Sequence, residues 1–196
     1  MRAVVISDTH NQHELLSLPK GDILIHCGDF TVDGTEDEFK YFADWFAAQN
    51  FKYKLVIAGN HDYLFDDNPS LARSFFDRNN ICYLDNEGIY IMDMLFWGYP
   101  FDRILGSQKN VQKIPSFVDV LISHSPPNGV LDEVDNINLG CTKLMLRLKN
   151  VSFGYACFGH IHQGYGCKKI GDYSYVNASI CNKDYKLQNK PIILNF

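Results

Sequence analysis

Five short apolar runs, each followed directly by polar residues that can bind metal ions, constrain the fold of this chain more than any other feature. They occupy residues 3–6, 23–27, 55–58, 118–122 and 155–158. Their length and their polar boundaries predict buried β-strands. Ligands collect beyond the carboxyl ends of strands in α/β sheets. We therefore expect the five polar clusters to lie together in space, although they are far apart in sequence.

Three segments between the runs predict helices. Residues 36–48 repeat apolar and aromatic side chains at helical spacing. A second helix is predicted to begin at Ser70, whose hydroxyl can cap it. A third is predicted over residues 139–148.

Further strands are predicted outside the five runs. Residues 81–97 predict short strands, with Gly88 in a turn. Residues 168–170 and 173–177 predict a hairpin, and residues 192–195 a last strand. Strands that first alternate with helices and then cluster favour an α/β sandwich of two sheets. The length predicts one domain over residues 1–196.

Charge and composition narrow the partners. The formal net charge is -5, from 18 basic and 23 acidic residues. A broad surface for nucleic acid needs clustered Lys and Arg, so this balance argues against one. A nucleotide substrate stays compatible, because bound metal ions supply local positive charge.

The cysteines and the apolar content bear on the compartment. Six cysteines are scattered without a C-x-x-C pair, which favours buried thiols in a reducing, cytoplasmic compartment. The first predicted strand begins next to Met1, which leaves no room for a signal peptide. No apolar run approaches the length of a membrane span, so we expect no membrane association.

The polar clusters supply carboxylate, amide and imidazole groups, which are ligands for divalent metals. The candidate ligands are Asp8, His10, Asp29, Asn60, His124, His160 and His162. Asp8 and His10 are two residues apart, so on an extended backbone they point the same way. Asp29 has two carboxylate oxygens and can bridge two cations. Taken singly, such an Asp is a turn former and such a His a hydrogen-bonded residue. Their joint occurrence after five strands favours a two-metal site, which can hydrolyse phosphoesters.

The order of the motifs resembles the calcineurin-like metallophosphoesterase superfamily. The motifs are Asp-x-His at 8–10, Gly-Asp at 28–29, Gly-Asn-His-Asp at 59–62, a His at 124 and Gly-His-x-His at 159–162. Flanking residues 22–31, 131–133, 164–166 and 176–179 are similar to the metallophosphoesterase-domain-containing subgroup, which includes the vertebrate fetal-brain proteins. The resemblance implies a four-layer α/β/β/α sandwich of two mixed sheets flanked by helices.

The resemblance also implies roles for the residues. Three ligands would bind a first metal and three a second, with Asp29 bridging. The first set is Asp8, His10 and His162, and the second is Asn60, His124 and His160. His61 would protonate the leaving oxygen, and Asp62 would orient His61 and raise its pKa. The implied activity is phosphodiester hydrolysis by a hydroxide held between the metals. The substrates would be small diesters, including nucleotides and cyclic nucleotides.

The mixed ligand set indicates the metal class. Oxygen and imidazole ligands together suit Mn²⁺ first, with Fe, Zn²⁺, Co²⁺ and Ni²⁺ as alternatives. Mg²⁺ fits less well, since it prefers oxygen ligands and several waters.

Two other activities stay open. One is a broad phosphomonoesterase or nucleotide pyrophosphatase, and the other is a non-catalytic metal-binding scaffold. The Asp-Arg-Gly motif that follows Gly-Asp in protein Ser/Thr phosphatases is absent, because residues 28–34 are Gly-Asp-Phe-Thr-Val-Asp-Gly. The retained pair of His61 and Asp62 argues against the scaffold.

For six residues near the clusters, two interpretations of the role are open. The substrate-contact candidates are Asn11, His13, Tyr63, Phe65 and Arg103, and each is otherwise a loop or packing residue. His26, inside a predicted strand, is expected to serve the core or to support a ligand.

Overall fold

The chain forms thirteen strands and four α-helices within the part that this computed structural model describes, residues 1–101 and 110–196. The strands are β1 (Arg2–Ile6), β2 (Ile23–His26), β3 (Tyr53–Val56), β4 (Cys82–Tyr83), β5 (Glu87–Ile91), β6 (Met94–Tyr99), β7 (Phe117–Ser123), β8 (Glu133–Val134), β9 (Ile137–Asn138), β10 (Ser152–Phe158), β11 (Gly166–Ile170), β12 (Tyr173–Asn177) and β13 (Ile192–Asn195). The helices are α1 (Glu36–Ala48), α2 (Leu64–Asp67), α3 (Pro69–Asp77) and α4 (Thr142–Leu148).

Most strands belong to two mixed sheets. The first has the order β13-β1-β2-β3-β4, with β13 antiparallel and the others parallel. The second has the order β11-β12-β10-β7-β6-β5, with its inner strands parallel and its two outer strands antiparallel. A parallel bridge between Ser7 and Ser179 joins the ends of β1 and β12. It ties the two sheets together where the polar clusters begin.

Alternation along β1 shows how the layers stack. Val4 and Ile6 pack in the core cluster that contains α1 and α3 side chains. Ala3 and Val5 pack in a second cluster with residues of both sheets. A third cluster buries the other face of the second sheet against α4. Because side chains alternate across a strand, each sheet is covered on both faces. The predicted α/β/β/α sandwich is confirmed.

Helix α1 matches its predicted bounds, and its start has a chemical reason. Thr35 accepts a hydrogen bond from the Glu38 N–H, and the Glu38 carboxylate accepts one from the Thr35 N–H. This capping box satisfies donors that the first helical turn leaves free. The buried aromatic face of the helix packs against the first sheet.

Two predicted helix starts were wrong. Helix α3 is capped by Asn68, whose side chain accepts from the Leu71 N–H, and Pro69 occupies the first turn instead of Ser70. Proline suits that position because its missing N–H is not needed there. Helix α4 begins at Thr142, after an extended Cys141 whose sulfur accepts from the Leu144 N–H.

The predicted turn at Gly88 was also wrong, whereas the late hairpin is confirmed. Gly88 lies inside β5 opposite Trp97, and a side chain there would collide with the Trp97 ring. The chain reverses instead at Met92 and Asp93, both with positive φ. The β11–β12 hairpin turns at Gly171, whose φ is +60°. Within the described residues, no helix has both the length and the apolarity needed to span a bilayer.

Candidate metal centre

The five polar clusters converge at one edge of the sandwich. They follow β1, β2, β3, β7 and β10, which run parallel within their sheets. Three sets of side chains place their ligand atoms within 4.8 Å of one another. The sets are Asp8 with His10 and His162, Asp29 with His124 and His160, and His10 with Asp29 and His61. All seven predicted ligands therefore meet here, since Asn60 Oδ1 lies 2.9 Å from His124 Nε2.

Asp29 lies between the first two sets. Its Oδ2 is 3.4 Å from His124 Nε2 and 4.0 Å from His10 Nε2. On the far side of the first set, Asp8 Oδ1 is 3.5 Å from His162 Nε2. A single carboxylate oxygen thus faces ligands of both sets, as a bridging ligand requires.

In three of the histidines, Nδ1 contacts a backbone carbonyl and Nε2 faces the other ligands. His10 Nδ1 is 3.1 Å from the Thr31 carbonyl, His124 Nδ1 2.8 Å from that of Cys27, and His162 Nδ1 2.8 Å from that of Asn182. A carbonyl only accepts, so Nδ1 carries the proton and Nε2 is free to ligate a metal. His10 Nε2 is buried and has no hydrogen-bond partner among the described residues. Buried polar atoms are normally satisfied, so this unpaired nitrogen fits a divalent metal at the centre.

Four ligands occupy strained backbone. The φ angles of Asp8, His10, Asp29 and His160 are 54°, 40°, 57° and 66°. Such left-handed conformations are uncommon outside glycine and cluster at functional sites. Two neighbouring glycines leave room for the carboxylates. A side chain at Gly59 would collide with Asp29 Oδ1, and one at Gly159 with Asp8 Oδ2.

Burial and mutual charge shift the pKa values of the ligands. Burial alone would raise the pKa of Asp8, but its hydrogen bond with His162 and the nearby imidazoles lower it well below its usual range. Burial would lower the pKa of His124, but the Asp29 charge outweighs burial and raises it to about 9. Metal ligation needs a deprotonated Nε2, so protons compete with metal ions at this centre.

Further groups orient the Asp8 carboxylate. The His160 backbone N–H lies 3.0 Å from both Asp8 oxygens. The Ser179 hydroxyl lies 2.8 Å from Asp8 Oδ2 and 2.8 Å from Asn177 Oδ1. His160 follows β10 and Ser179 follows β12, so the second sheet brings both residues to the end of β1. The sequence pattern at residues 176–179 did not indicate a role for Ser179 at the site.

His61 belongs to the third set, with His10 and Asp29. Its backbone N–H donates to Asp29 Oδ1 at 2.8 Å, and its Nδ1 is 2.8 Å from the Val32 carbonyl. Its ring centroid is 4.9 Å from that of His10. With Nδ1 held by a carbonyl, Nε2 remains available to a substrate.

Asp62 does not orient His61 as expected, which is a correction. Its buried carboxylate accepts from four backbone N–H groups, those of Asp29, Phe30, Thr31 and Gly59. The Val32 carbonyl holds the imidazole instead. Burial first, and then the Asp29 charge, raises the pKa of Asp62 to about 7. Asp62 therefore shapes the loop that carries Asp29.

Most of the six residues near the clusters that had two interpretations pack against, or hydrogen-bond to, other protein groups. His13 is buried against Trp45 and Tyr41, and Phe65 stacks on Tyr83 with centroids 4.0 Å apart. Asn11 donates to the Glu38 carboxylate. His26 Nε2 contacts the Thr9 hydroxyl at 3.0 Å, so it supports the first cluster from within the core. Tyr63 stacks beside His61. Arg103 lies outside the described residues.

Two aromatic residues at the centre were not predicted from the sequence. The centroid of the Phe101 ring lies 5.6 Å from that of His160 and 5.9 Å from that of His124. The Tyr185 ring lies 4.7 Å from His10 and 5.3 Å from His162. Neither residue belongs to a ligand cluster, so no local pattern indicated its position.

Sequence comparison finds relatives across most of the chain. The family description calcineurin-like phosphoesterase matches residues 1–164. A UPF0046 protein of Caenorhabditis elegans is 34% identical over 98% of this chain and 74% of its own. Human metallophosphoesterase domain-containing protein 1 is 34% identical over 99% of this chain and 70% of its own. A probable glycerophosphodiester phosphodiesterase of Arcobacter nitrofigilis is 29% identical over 74% of this chain and 58% of its own. The resemblance inferred from the motifs is confirmed.

Solved structures share the architecture. One crystal structure matches with a TM-score of 0.73 and 16% identity, covering 90% of this chain and 89% of its own. A structure titled as a novel archaeal phosphodiesterase matches with a TM-score of 0.52 and 16% identity, covering 99% of this chain and 100% of its own. At these identities the likeness shows the fold alone.

Proposed function

The chain belongs to the calcineurin-like phosphoesterase family, and from this premise we propose that it is a phosphodiesterase that uses two divalent metal ions. Phosphoester hydrolysis is the reaction class of the family. Small phosphodiesters, among them nucleotides and cyclic nucleotides, are the proposed substrates. The diester preference is supported by the name of one relative, the probable glycerophosphodiester phosphodiesterase.

The observation that carries the proposal is the position of the Asp29 carboxylate. One of its oxygens faces His10 and His124, which belong to different ligand sets. The Asp8, His10 and His162 set would hold one ion, and Asn60, His124 and His160 the other. Bound ions would supply an activated water and neutralise charge on the phosphate. Mn²⁺ is the proposed metal, because the ligands mix carboxylate, amide and imidazole.

Charge at the centre favours a diester over a monoester. Within the described residues, the ion pairs of Asp8 and Asp29 are with histidines. The Arg of the Asp-Arg-Gly motif that follows Gly-Asp in protein Ser/Thr phosphatases is absent from residues 28–34. A monoester carries a second negative charge near neutral pH and gains more from such a cation than a diester does.

His61 is proposed to protonate the leaving oxygen. Its Nδ1 is fixed by the Val32 carbonyl, so Nε2 can carry and release a proton at the substrate. Its backbone N–H donates to Asp29 Oδ1, which fixes the imidazole relative to the bridging carboxylate. General acids of this kind contribute about 10²–10⁴-fold in rate.

The test compares two chromogenic esters. Metal-free protein is reloaded with Mn²⁺, and kcat/KM is measured on bis-p-nitrophenyl phosphate and on p-nitrophenyl phosphate. We expect a preference for the diester. His61→Asn should retain the metal and lose about 10²-fold in rate on diesters with poor leaving groups, and less on the nitrophenyl ester. Metal content is measured on each variant.

Three results would contradict the proposal. A preference for the monoester would favour the phosphomonoesterase. Metal binding without hydrolysis of either ester would favour the scaffold. Full turnover of a metal-free Asp29→Ala variant would remove the two-metal mechanism itself.

A further inference from the structure

Tyr185 lies at the mouth of the metal centre. Its ring centroid is 4.7 Å from that of His10, 5.3 Å from that of His162 and 6.1 Å from that of His61. The residue is nevertheless 49% exposed. One part of the ring therefore covers site histidines, while the rest faces solvent beside them.

The Tyr185 backbone is held in place on both sides. Its N–H donates to the Asn182 carbonyl at 2.9 Å, and its own carbonyl accepts from Gln12 Nε2 at 2.8 Å. The Asn182 side chain closes the same loop, because its Oδ1 accepts from the N–H groups of Asp184 and Lys186.

The backbone at Tyr185 is also strained. Its φ is 57°, a left-handed conformation that is unusual for a bulky residue. Such strain persists where the surroundings over-determine it, and it is concentrated at ligand sites. The Asn182 carbonyl that holds Tyr185 also holds Nδ1 of His162. One short loop therefore fixes both the aromatic ring and the orientation of a ligand.

The position of His61 relates the Tyr185 ring to the substrate. The His61 ring neighbours two tyrosine rings, with the Tyr63 centroid 5.9 Å away in a stacked arrangement and the Tyr185 centroid 6.1 Å away. If His61 protonates the leaving oxygen, the group attached to that oxygen passes over His61. It then reaches the exposed part of the Tyr185 ring.

We propose that Tyr185 determines substrate specificity by packing against the leaving substituent and favours flat groups such as nucleosides over small aliphatic ones. This inference rests on the proposed phosphodiesterase activity. Stacking on aromatic side chains suits every nucleobase, because each has a π-face. The metal centre would act on the phosphodiester, and Tyr185 would select what is attached to it.

The test uses two diesters whose leaving groups are both alkoxides. Thymidylyl-thymidine carries a nucleoside on each side, and glycerophosphoethanolamine carries an aliphatic group on each side. The readout is the ratio of their kcat/KM values with Mn²⁺ bound. We expect Tyr185→Leu to lower this ratio roughly tenfold, in the range of stacking losses seen on removing an aromatic ring. Tyr185→Phe should keep the ratio within about twofold, because it keeps the ring.

A matched control and a binding measurement complete the test. Tyr90 is 71% exposed on β5, and Tyr90→Leu should leave the ratio unchanged. Calorimetry on the metal-loaded proteins measures the Kd of thymidine monophosphate and of inorganic phosphate. Tyr185→Leu should weaken the nucleotide roughly tenfold and phosphate much less.

The outcomes separate the two proposals. An unchanged ratio, or a parallel loss of nucleotide and phosphate affinity, would overturn the role of Tyr185 and leave the phosphodiesterase standing. If the wild-type protein hydrolyses no diester, the proposed function fails. The calorimetric comparison then still decides whether Tyr185 binds the nucleoside.

Discussion

At the scale of single residues, the hydrogen bond at one ring nitrogen of a histidine determines which nitrogen can bind a metal. His10, His124 and His162 each place Nδ1 against a backbone carbonyl and thereby present Nε2 to the centre. Sequence spacing predicted these histidines as ligands. It could not show which nitrogen binds, since the carbonyls come from loops elsewhere in the chain.

The same reasoning failed at Asp62 because it used nearness in sequence. A carboxylate next to His61 in sequence was expected to contact the imidazole. In the fold, four backbone N–H groups donate to that carboxylate instead. Buried N–H groups are costly to leave unpaired, so the carboxylate turns toward them.

Ser179 offers a test at this scale. Its hydroxyl lies 2.8 Å from Asp8 Oδ2, so Ser179→Ala should remove one contact that orients a ligand. Loss of such an outer contact typically weakens metal affinity about 10–100-fold. Calorimetric titration of the metal-free protein with Mn²⁺ measures the change. Ser152→Ala, an exposed serine on β10, is the control and should bind as the wild type does. Equal affinities for both variants would show that Ser179 does not support the centre.

At the scale of elements, the cap of helix α1 is connected to the loop that holds His61. The Glu38 carboxylate accepts from the N–H groups of Val32, Asp33 and Thr35. The Val32 carbonyl in turn holds His61. The carboxylate that caps helix α1 therefore also anchors the loop that positions the proposed acid.

Glu38 offers a pH-dependent test of this element. Partial burial raises its pKa, but the hydrogen bonds from Thr35, Asn11, Asp33 and Val32 outweigh burial and lower it below 4.5. The ionised form therefore stabilises the fold above that value, and the contribution is lost as pH falls through the lower, folded pKa. Glu38→Gln replaces one acceptor oxygen by an amide and should cost about 1 kcal/mol near neutral pH.

Urea unfolding at several pH values measures the effect of Glu38→Gln. The difference between variant and wild type should shrink as pH falls below 4.5. Glu36→Gln, on the same exposed first turn, is the control and should change little. A difference that stays constant with pH would show that the ionised carboxylate is not the stabilising group.

At the scale of the whole molecule, two sheets share one site. Clusters after β1, β2 and β3 come from the first sheet, and those after β7 and β10 from the second. Neither sheet alone supplies both ligand sets, because Asp8 needs His162 and Asp29 needs His124. Metal binding should therefore stabilise the packing between the sheets.

Metal removal tests this link. At about 100 times its Kd, a ligand that binds only the folded state stabilises it by about 2.7 kcal/mol. For a chain of this length that corresponds to a rise in Tm of about 5–10 °C. Calorimetric scans with EDTA and with Mn²⁺ measure it, and Asp29→Ala should show almost no rise. An identical Tm in EDTA and Mn²⁺ would refute the coupling, and two separate transitions would contradict the predicted single domain over residues 1–196.

The sequence by itself determined the five strands that precede the polar clusters, the first helix, the types of the candidate ligands and their convergence at one edge. These features follow from local periodicity and from the rule that strand ends collect ligands. Only the tertiary structure decided the orientation of each imidazole, the partners of Asp62 and the place of Tyr185. Those depend on backbone groups and rings that loops bring together from distant parts of the chain. No local pattern encodes such contacts, because each exists only after distant parts of the chain have packed together.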